Sequence, residues 1–207
     1  MRSVPRLPVL SLALASGAVD AFTFLSLGHV FTSNMTGNLV LLGISAAWSQ
    51  FADAVGSLVA LAAFTCGLAA AFRFTRGVTG WAPRTRLAVA AEAGLLVVLL
   101  TGWALSAPRL GLIATAAFAM GVQSAVTHRL RTFIGSTTFI TGALTTTLAR
   151  HLTPGTGQPY GAELVAVLFA LALGATGGTL LVRLLPLAAP ALALFAVTVA
   201  LAASAYA

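Results

Sequence analysis

Lysine is absent from this chain, cysteine occurs once, and only four residues are acidic. Charged residues make up 7% of the 207, against about 25% in soluble globular domains, while hydrophobic residues reach 59%. With a mean hydropathy of +1.00, that balance excludes a soluble fold and leaves an integral membrane protein. The single Cys66 lies in an apolar run, so neither a disulfide framework nor a Cys-based metal site can be built, and a small packing role is expected of it. No His/Cys/carboxylate set has metal-ligand spacing, and there is no Gly-rich phosphate loop, nucleophile elbow or Ser/His/Asp set. The expectation is a protein without catalytic residues, metal or cofactor, and not an enzyme. The net charge of +7 comes from arginines in short loops between apolar spans. There it sets orientation and does not indicate nucleic-acid binding.

What is present is organised around Gly17 to Gly43, GAVDAFTFLSLGHVFTSNMTGNLVLLG. An acid, Asp20, sits inside an apolar span, which is then broken by Ser33-Asn34-Met35-Thr36-Gly37-Asn38 before hydrophobicity resumes. Half a chain later the sequence reads GVQSAVTHRLRTFIGSTTFITGALTTTLA, so Gly17, Asp20 and Ala21 correspond to Gly121, Ser124 and Ala125 at an offset of 104. Thr36 and Gly37 correspond to Thr141 and Gly142 at 105, one residue having been inserted in the second loop. The pattern predicts two copies of one membrane-embedded unit, 1–107 and 108–207.

A bilayer crossing needs about 20 residues. Leu7–Leu27, Asp53–Phe72 and Leu87–Ser106 meet that in the first copy, and Gly111–Thr127, Leu164–Val182 and Leu187–Ala207 in the second. The regions 28–48 and 132–150 are polar loops that lead into apolar segments too short to cross, Leu39–Trp48 and Thr141–Arg150. They read as re-entrant half-helices, tolerated at membrane depth where buried in protein or lining a cavity. The predicted fold is all-α: six transmembrane helices plus two short re-entrant half-helices in one membrane domain. Arg2 and Arg6 before Ala13-Leu14-Ala15 have the form of a cleavable signal. Cleavage would remove most of a span whose counterpart has no such role, so the segment reads as a span.

Arginine placement orients the chain. If neither short segment crosses, nine arginines fall on one side and only Arg109 and Arg183 on the other; if both cross, the best division is seven against four. The first arrangement obeys the positive-inside rule better. It gives three crossings per copy, so the copies are inverted and both termini are cytoplasmic.

Two opposed half-helices would bring their N-termini, each with unpaired N–H groups and about half a positive charge, toward the midplane. Thr36 and Thr141 are expected N-caps, Gly37 and Gly142 allow close backbone approach, and Asn34, Asn38, Ser136 and Thr137 add donors and acceptors. The alternative is that these groups only satisfy their own broken backbone. Asp20 is expected to bind a solute or a proton, since an acid at membrane depth costs roughly 2.5–3.5 kcal/mol and faces a cavity, a partner or a proton path; the alternative is a buried structural acid. Asn34 or Asn38 is its expected partner, and Ser124 is its neutral counterpart. Glu92 and His128 are secondary candidates. Glu92 falls five residues into its span, where pairing with Arg86 or snorkelling is cheap. Asp53 and Glu163 begin spans and read as interfacial, and Gly174 to Gly178 reads as a helix-packing GxxxG.

Gly17, Asp20, Ala21, Phe24-Leu25, Gly28, Phe31 and Asn34-Met35-Thr36-Gly37-Asn38, with Met120 to Ala125 and Thr141-Gly142, resemble the pattern of the YoaK family, bacterial multi-pass membrane proteins of unknown function. The resemblance covers essentially the whole chain and implies a small protein of the bacterial cytoplasmic (inner) membrane. Taken with the repeat, the expected function is a transporter or channel for a small polar or anionic solute. A non-transporting scaffold or assembly partner is the alternative. The lipid bilayer is the expected environment, nucleic acid is not a partner, and the size is compatible with a homodimer.

Overall fold

The computed structural model describes residues 6–130, 142, 144, 145, 148, 149 and 161–206. Among them every regular element is helical: α1 (Arg6–Ser26), α2 (Met35–Ala47), α3 (Phe51–Phe74), α4 (Pro83–Ala104), α5 (Arg109–Arg129), α6 (Gly161–Leu184) and α7 (Ala191–Ala203). Short 3-10 turns at Pro186–Ala188 and Ser204–Tyr206 bracket α7. Among the described residues six stretches are long and apolar enough to cross a membrane: α1, α3, α4, α5, α6 and Pro186–Tyr206. The 13-residue α2 spans only about 20 Å. Prolines mark helix starts, as their fixed φ and missing N–H allow: Pro83 opens α4, and Pro108 and Pro190 precede α5 and α7.

The helices associate crosswise. α1 packs chiefly on α6 and then on α7, α5 chiefly on α3 and then on α4, and α4 meets α7. Lipid tails are as apolar as leucine, so close packing of small residues must hold such pairs together. A Cβ on Gly17 would overlap the Leu171 carbonyl and crowd Ala175, and one on Gly121 would overlap the Phe64 carbonyl and crowd Leu68. Gly174 meets the backbone of Leu14, and Gly67 meets that of Phe118. These are the same contacts made twice: Leu14 and Gly17 lie 104 before Phe118 and Gly121, while Phe64, Gly67 and Leu68 lie 107 before Leu171, Gly174 and Ala175. Gly178, the second glycine of the GxxxG, abuts Ala18, so that motif packs helices.

Polar ties at the helix ends establish the directions. Arg109, opening α5, donates from Nη2 to Asp53 of α3 (2.9 Å) and from Nε to the Leu27 carbonyl at the end of α1 (2.8 Å). At the far end of the same pair, Arg129 donates to the Phe72 carbonyl (3.2 Å) and lies over the Phe72 ring. α3 and α5 therefore run parallel, and α1 runs against both. Arg6 meets Glu163 at the starts of α1 and α6 (3.9 Å). Arg86 Nη2 donates to the Ser204 carbonyl (2.6 Å) and Trp103 Nε1 to the Pro186 carbonyl (2.7 Å), making α4 and α7 antiparallel. Arg73, Arg76, Arg84, Arg86 and Arg129 consequently gather at one end of the bundle, hereafter the arginine-rich end. Cys66 is exposed on α3 and does not pack inside, contrary to expectation, because α3 buries the opposite face, which carries Phe64, Gly67 and Ala71.

Candidate functional site

α1 ends where Gly28 (φ +85°) and His29 (φ +57°) take consecutive left-handed conformations. Gly28 is also needed for space, since the Arg109 guanidinium lies where its Cβ would be. The chain then folds back along α1. Asp20 Oδ1 accepts from the backbone N–H groups of Thr32 (2.7 Å) and Ser33 (2.8 Å) and from the Thr32 hydroxyl (3.0 Å), and Oδ2 accepts from the Ser33 hydroxyl (2.6 Å). Ser16, the central residue of α1, donates to Ser33 Oγ (2.8 Å). The loop thus reaches about 15 Å back from the end of α1 before α2 begins.

Two asparagines hold the irregular backbone. Asn34 is the N-cap of α2, its Oδ1 accepting from the Gly37 N–H (3.1 Å). Asn38, fully buried, pairs with both backbone groups of Phe31, accepting from its N–H (2.9 Å) and donating to its carbonyl (2.6 Å). Phe31 stacks on Phe24 with ring centroids 4.8 Å apart. With Asn34 as cap, the N–H groups of Met35 and Thr36 begin the helix without an intrahelical acceptor.

Two expectations are corrected. Thr36 is not the cap; it is exposed in the first turn, because the helix starts two residues earlier than the Thr-Gly step suggested. Asn34 and Asn38 do not bond Asp20, since both amides are engaged locally, and Thr32 and Ser33 do so with a hydroxyl and an N–H each. Asn34→Ala is therefore expected to destabilise the protein by about 0.5–2 kcal/mol and Thr36→Ala by less than about 0.5 kcal/mol, read from thermal unfolding in detergent. Equal losses would remove Asn34 from the cap.

In the second half, Ser136, Thr137 and Thr141 lie outside the described residues, and Gly142 is helical and exposed. Ser124 is half-buried on α5, its carbonyl accepting from Thr127 Oγ1 (3.0 Å). His128 is exposed with its ring edge-on to Phe72 (5.3 Å).

Glu92 differs most from expectation. α4 begins at Pro83, a full turn before the predicted span, which places Glu92 at mid-helix, fully buried, with neither carboxyl oxygen hydrogen-bonded. Arg86 does not pair with it; its guanidinium reaches Ser204 in the opposite direction. Gln123, present in the sequence only as part of the Met120 to Ala125 run, is a buried polar group that the sequence reading did not single out. Its Nε2 donates to the Leu12 carbonyl (3.0 Å), while Oε1 is buried without a partner. An amide inside an otherwise apolar span is the signal that could have found it.

Six apolar spans and a polar loop folded against the first of them define a multi-pass α-helical membrane protein. The chain belongs to the family described as "Protein of unknown function (DUF1275)", which matches residues 9–205. It is similar to the UPF0700 transmembrane protein YoaK of Bacillus subtilis (strain 168), at 38% identity over 141 residues, 66% of this chain. The match spans 63% of that relative's length. No solved structure matches the chain.

Proposed function

We propose that the protein carries a small polar or anionic solute across the bacterial cytoplasmic membrane, at a site between two re-entrant half-helices. The observation that carries this reading is the duplicated, crossed contact of Gly17 with Leu171 and Gly121 with Phe64, between halves whose first spans run in opposite directions. Inverted halves that interlock in this way can rock about a central site, exposing it alternately to each face. In the first half the site is formed by the α2 N-terminus, with the Met35 and Thr36 N–H groups, Asn34 and Gly37, and its counterpart in the second half is the segment that includes Gly142. Asp20 serves by holding Thr32 and Ser33, and thereby α2, at half the height of α1. The arginine-rich end is cytoplasmic, and no residue acts as a catalyst.

The test is two-sided labelling with a membrane-impermeant maleimide, with Cys66 replaced and single cysteines at Thr36 and Gly142, both exposed and outside the Asp20 network. Reaction of position 36 only from the outer face and of 142 only from the cytoplasm is the expected result. Reaction of both from one face would overturn the inverted arrangement.

A second reading, a non-transporting scaffold, is favoured by one observation: Asp20 and Asn38 are each saturated within the loop itself. In that case both positions would resist labelling from either side.

A further inference from the structure

We propose that Glu92 is a proton-exchange site at the centre of the bundle, served from the arginine-rich end past Thr85 and Gln123. Glu92 is the tenth of 22 residues in α4, about 14 Å from the helix start, and none of its surface is exposed. Both carboxyl oxygens lack a hydrogen-bond partner.

The charged and titratable groups on every element around it are placed elsewhere. On α4 these are Arg84, which is exposed, and Arg86, which is turned to Ser204. α5 carries Arg109, His128 and Arg129, all in its terminal turns, and α7 has none. On α3, Asp53 is paired with Arg109, and Cys66 and Arg73 are exposed. α1 approaches α4 through Phe22 and Trp103, and its two ionisable groups are taken up by Glu163 (Arg6) and by Thr32 and Ser33 (Asp20).

A bare carboxylate in such a place has lost its water and gained neither counter-charge nor donor, which is far costlier than burying a neutral polar group. A proton is the one ligand that needs no further coordinating atoms. A metal cation would need several oxygens, and among the described residues no three His, Cys, Asp or Glu side chains converge.

Among the described residues, Trp81 Nε1, Thr85 Oγ1, Arg86 Nε and Gln123 Oε1 are also buried without a hydrogen-bond partner, and the two oxygens among them mark the route. Thr85 Oγ1 lies two turns before Glu92 on the same face of α4. α4 and α5 are antiparallel, with the Gly80 N–H bonded to the Arg129 carbonyl at one end and Gly102 beside Leu112 at the other. Glu92 is therefore level with Ala119 and Met120, and Gln123, with its bare Oε1, is about a turn nearer the arginine-rich end. Thr85 and Gln123 offer the spaced oxygens that a transient water needs to step inward. In the exchange, a hydronium ion entering from that end gives up one O–H bond and becomes water as a Glu92 oxygen gains one; release is the reverse, and nothing is oxidised or reduced. The proton site stands on burial and geometry alone, whereas its use to drive solute movement rests on the transport reading above.

The experiment treats the wild-type protein in its native membrane with dicyclohexylcarbodiimide, an apolar reagent that adds to a protonated carboxyl, and locates the adduct by peptide mass. An adduct on Glu92, absent in Glu92→Gln and slowing roughly tenfold per pH unit beyond the carboxyl's midpoint, is expected. No adduct at any pH, or a rate independent of pH, overturns the proposal. Infrared difference spectra of wild type minus Glu92→Gln should also contain a carboxylic C=O band that shifts in deuterium oxide; a missing or unshifting band overturns it as well. A pH-dependent adduct in a protein whose positions 36 and 142 label from one face would retain the proton site and remove the transport reading.

Discussion

Leucine in place of Gly121 is expected to prevent assembly. The Cβ alone would occupy the position of the Phe64 carbonyl oxygen and press on the Leu68 nitrogen, and neither can move without separating α3 from α5. Overpacking a core costs about 1–3 kcal/mol when side chains can shift; a backbone obstacle puts this case at or beyond the upper figure. Total stabilities are of the order of 5–15 kcal/mol, so a loss of that size lowers the folded fraction severely. We expect Gly121→Leu to elute as aggregate and to lack a cooperative thermal transition, and Gly17→Leu, at the equivalent contact with Leu171, to do the same. Gly111→Ala is the control, because a Cβ there meets no atom within 4 Å, and it should elute and melt like the wild type. A monodisperse, normally melting Gly121→Leu would show that the close approach of α3 and α5 is dispensable.

Asp20→Ala should release the loop. Its four donors, two N–H groups and two hydroxyls, would lose their acceptor together in a part-buried setting. An unsatisfied buried donor costs about 1–3 kcal/mol, and water entering the space recovers part of it, so a loss of about 3–5 kcal/mol is expected. The readout is hydrogen exchange at the Thr32 and Ser33 amides, which should accelerate by two orders of magnitude or more while the centre of α5 stays protected. Asp20→Asn keeps an oxygen for the two N–H groups and should lie between. Unchanged exchange in Asp20→Ala would exclude the carboxylate as the loop's anchor. The same variant separates the two functional readings, since a transporter loses activity when α2 is no longer held, whereas a scaffold loses only stability.

Much of the candidate site was legible. An acid in an apolar span followed by a polar break marks a loop that must find its partners inside the protein, and Asp20 with residues 31–38 is such an assembly. The pairing within it was not legible, because Thr32, Ser33, Asn34 and Asn38 all offer donors at similar separations from Asp20. The choice followed from the left-handed pair Gly28-His29, which swings Thr32 and Ser33 onto α1 and leaves Asn38 facing Phe31. The N-cap at Asn34 was misjudged because Thr36 before Gly37 is chemically as good a cap; Asn34 holds the position because its Oδ1 reaches the Gly37 N–H three residues on.

Composition and hydropathy suffice to identify a membrane protein with six spans, the first of which carries an acid and is followed by a polar loop. Each of those features depends on transfer of a short segment between water and lipid, which local composition decides without reference to any partner. Three features come from the packing of distant segments: α1 is seated against α6 and α5 against α3, Glu92 is sealed at mid-helix away from Arg86, and Cys66 faces outward. In water a buried helical face announces itself as an apolar stripe. In lipid both faces are apolar, so which of them meets protein is set by where glycines let two backbones touch, and that depends on residues far apart in the chain.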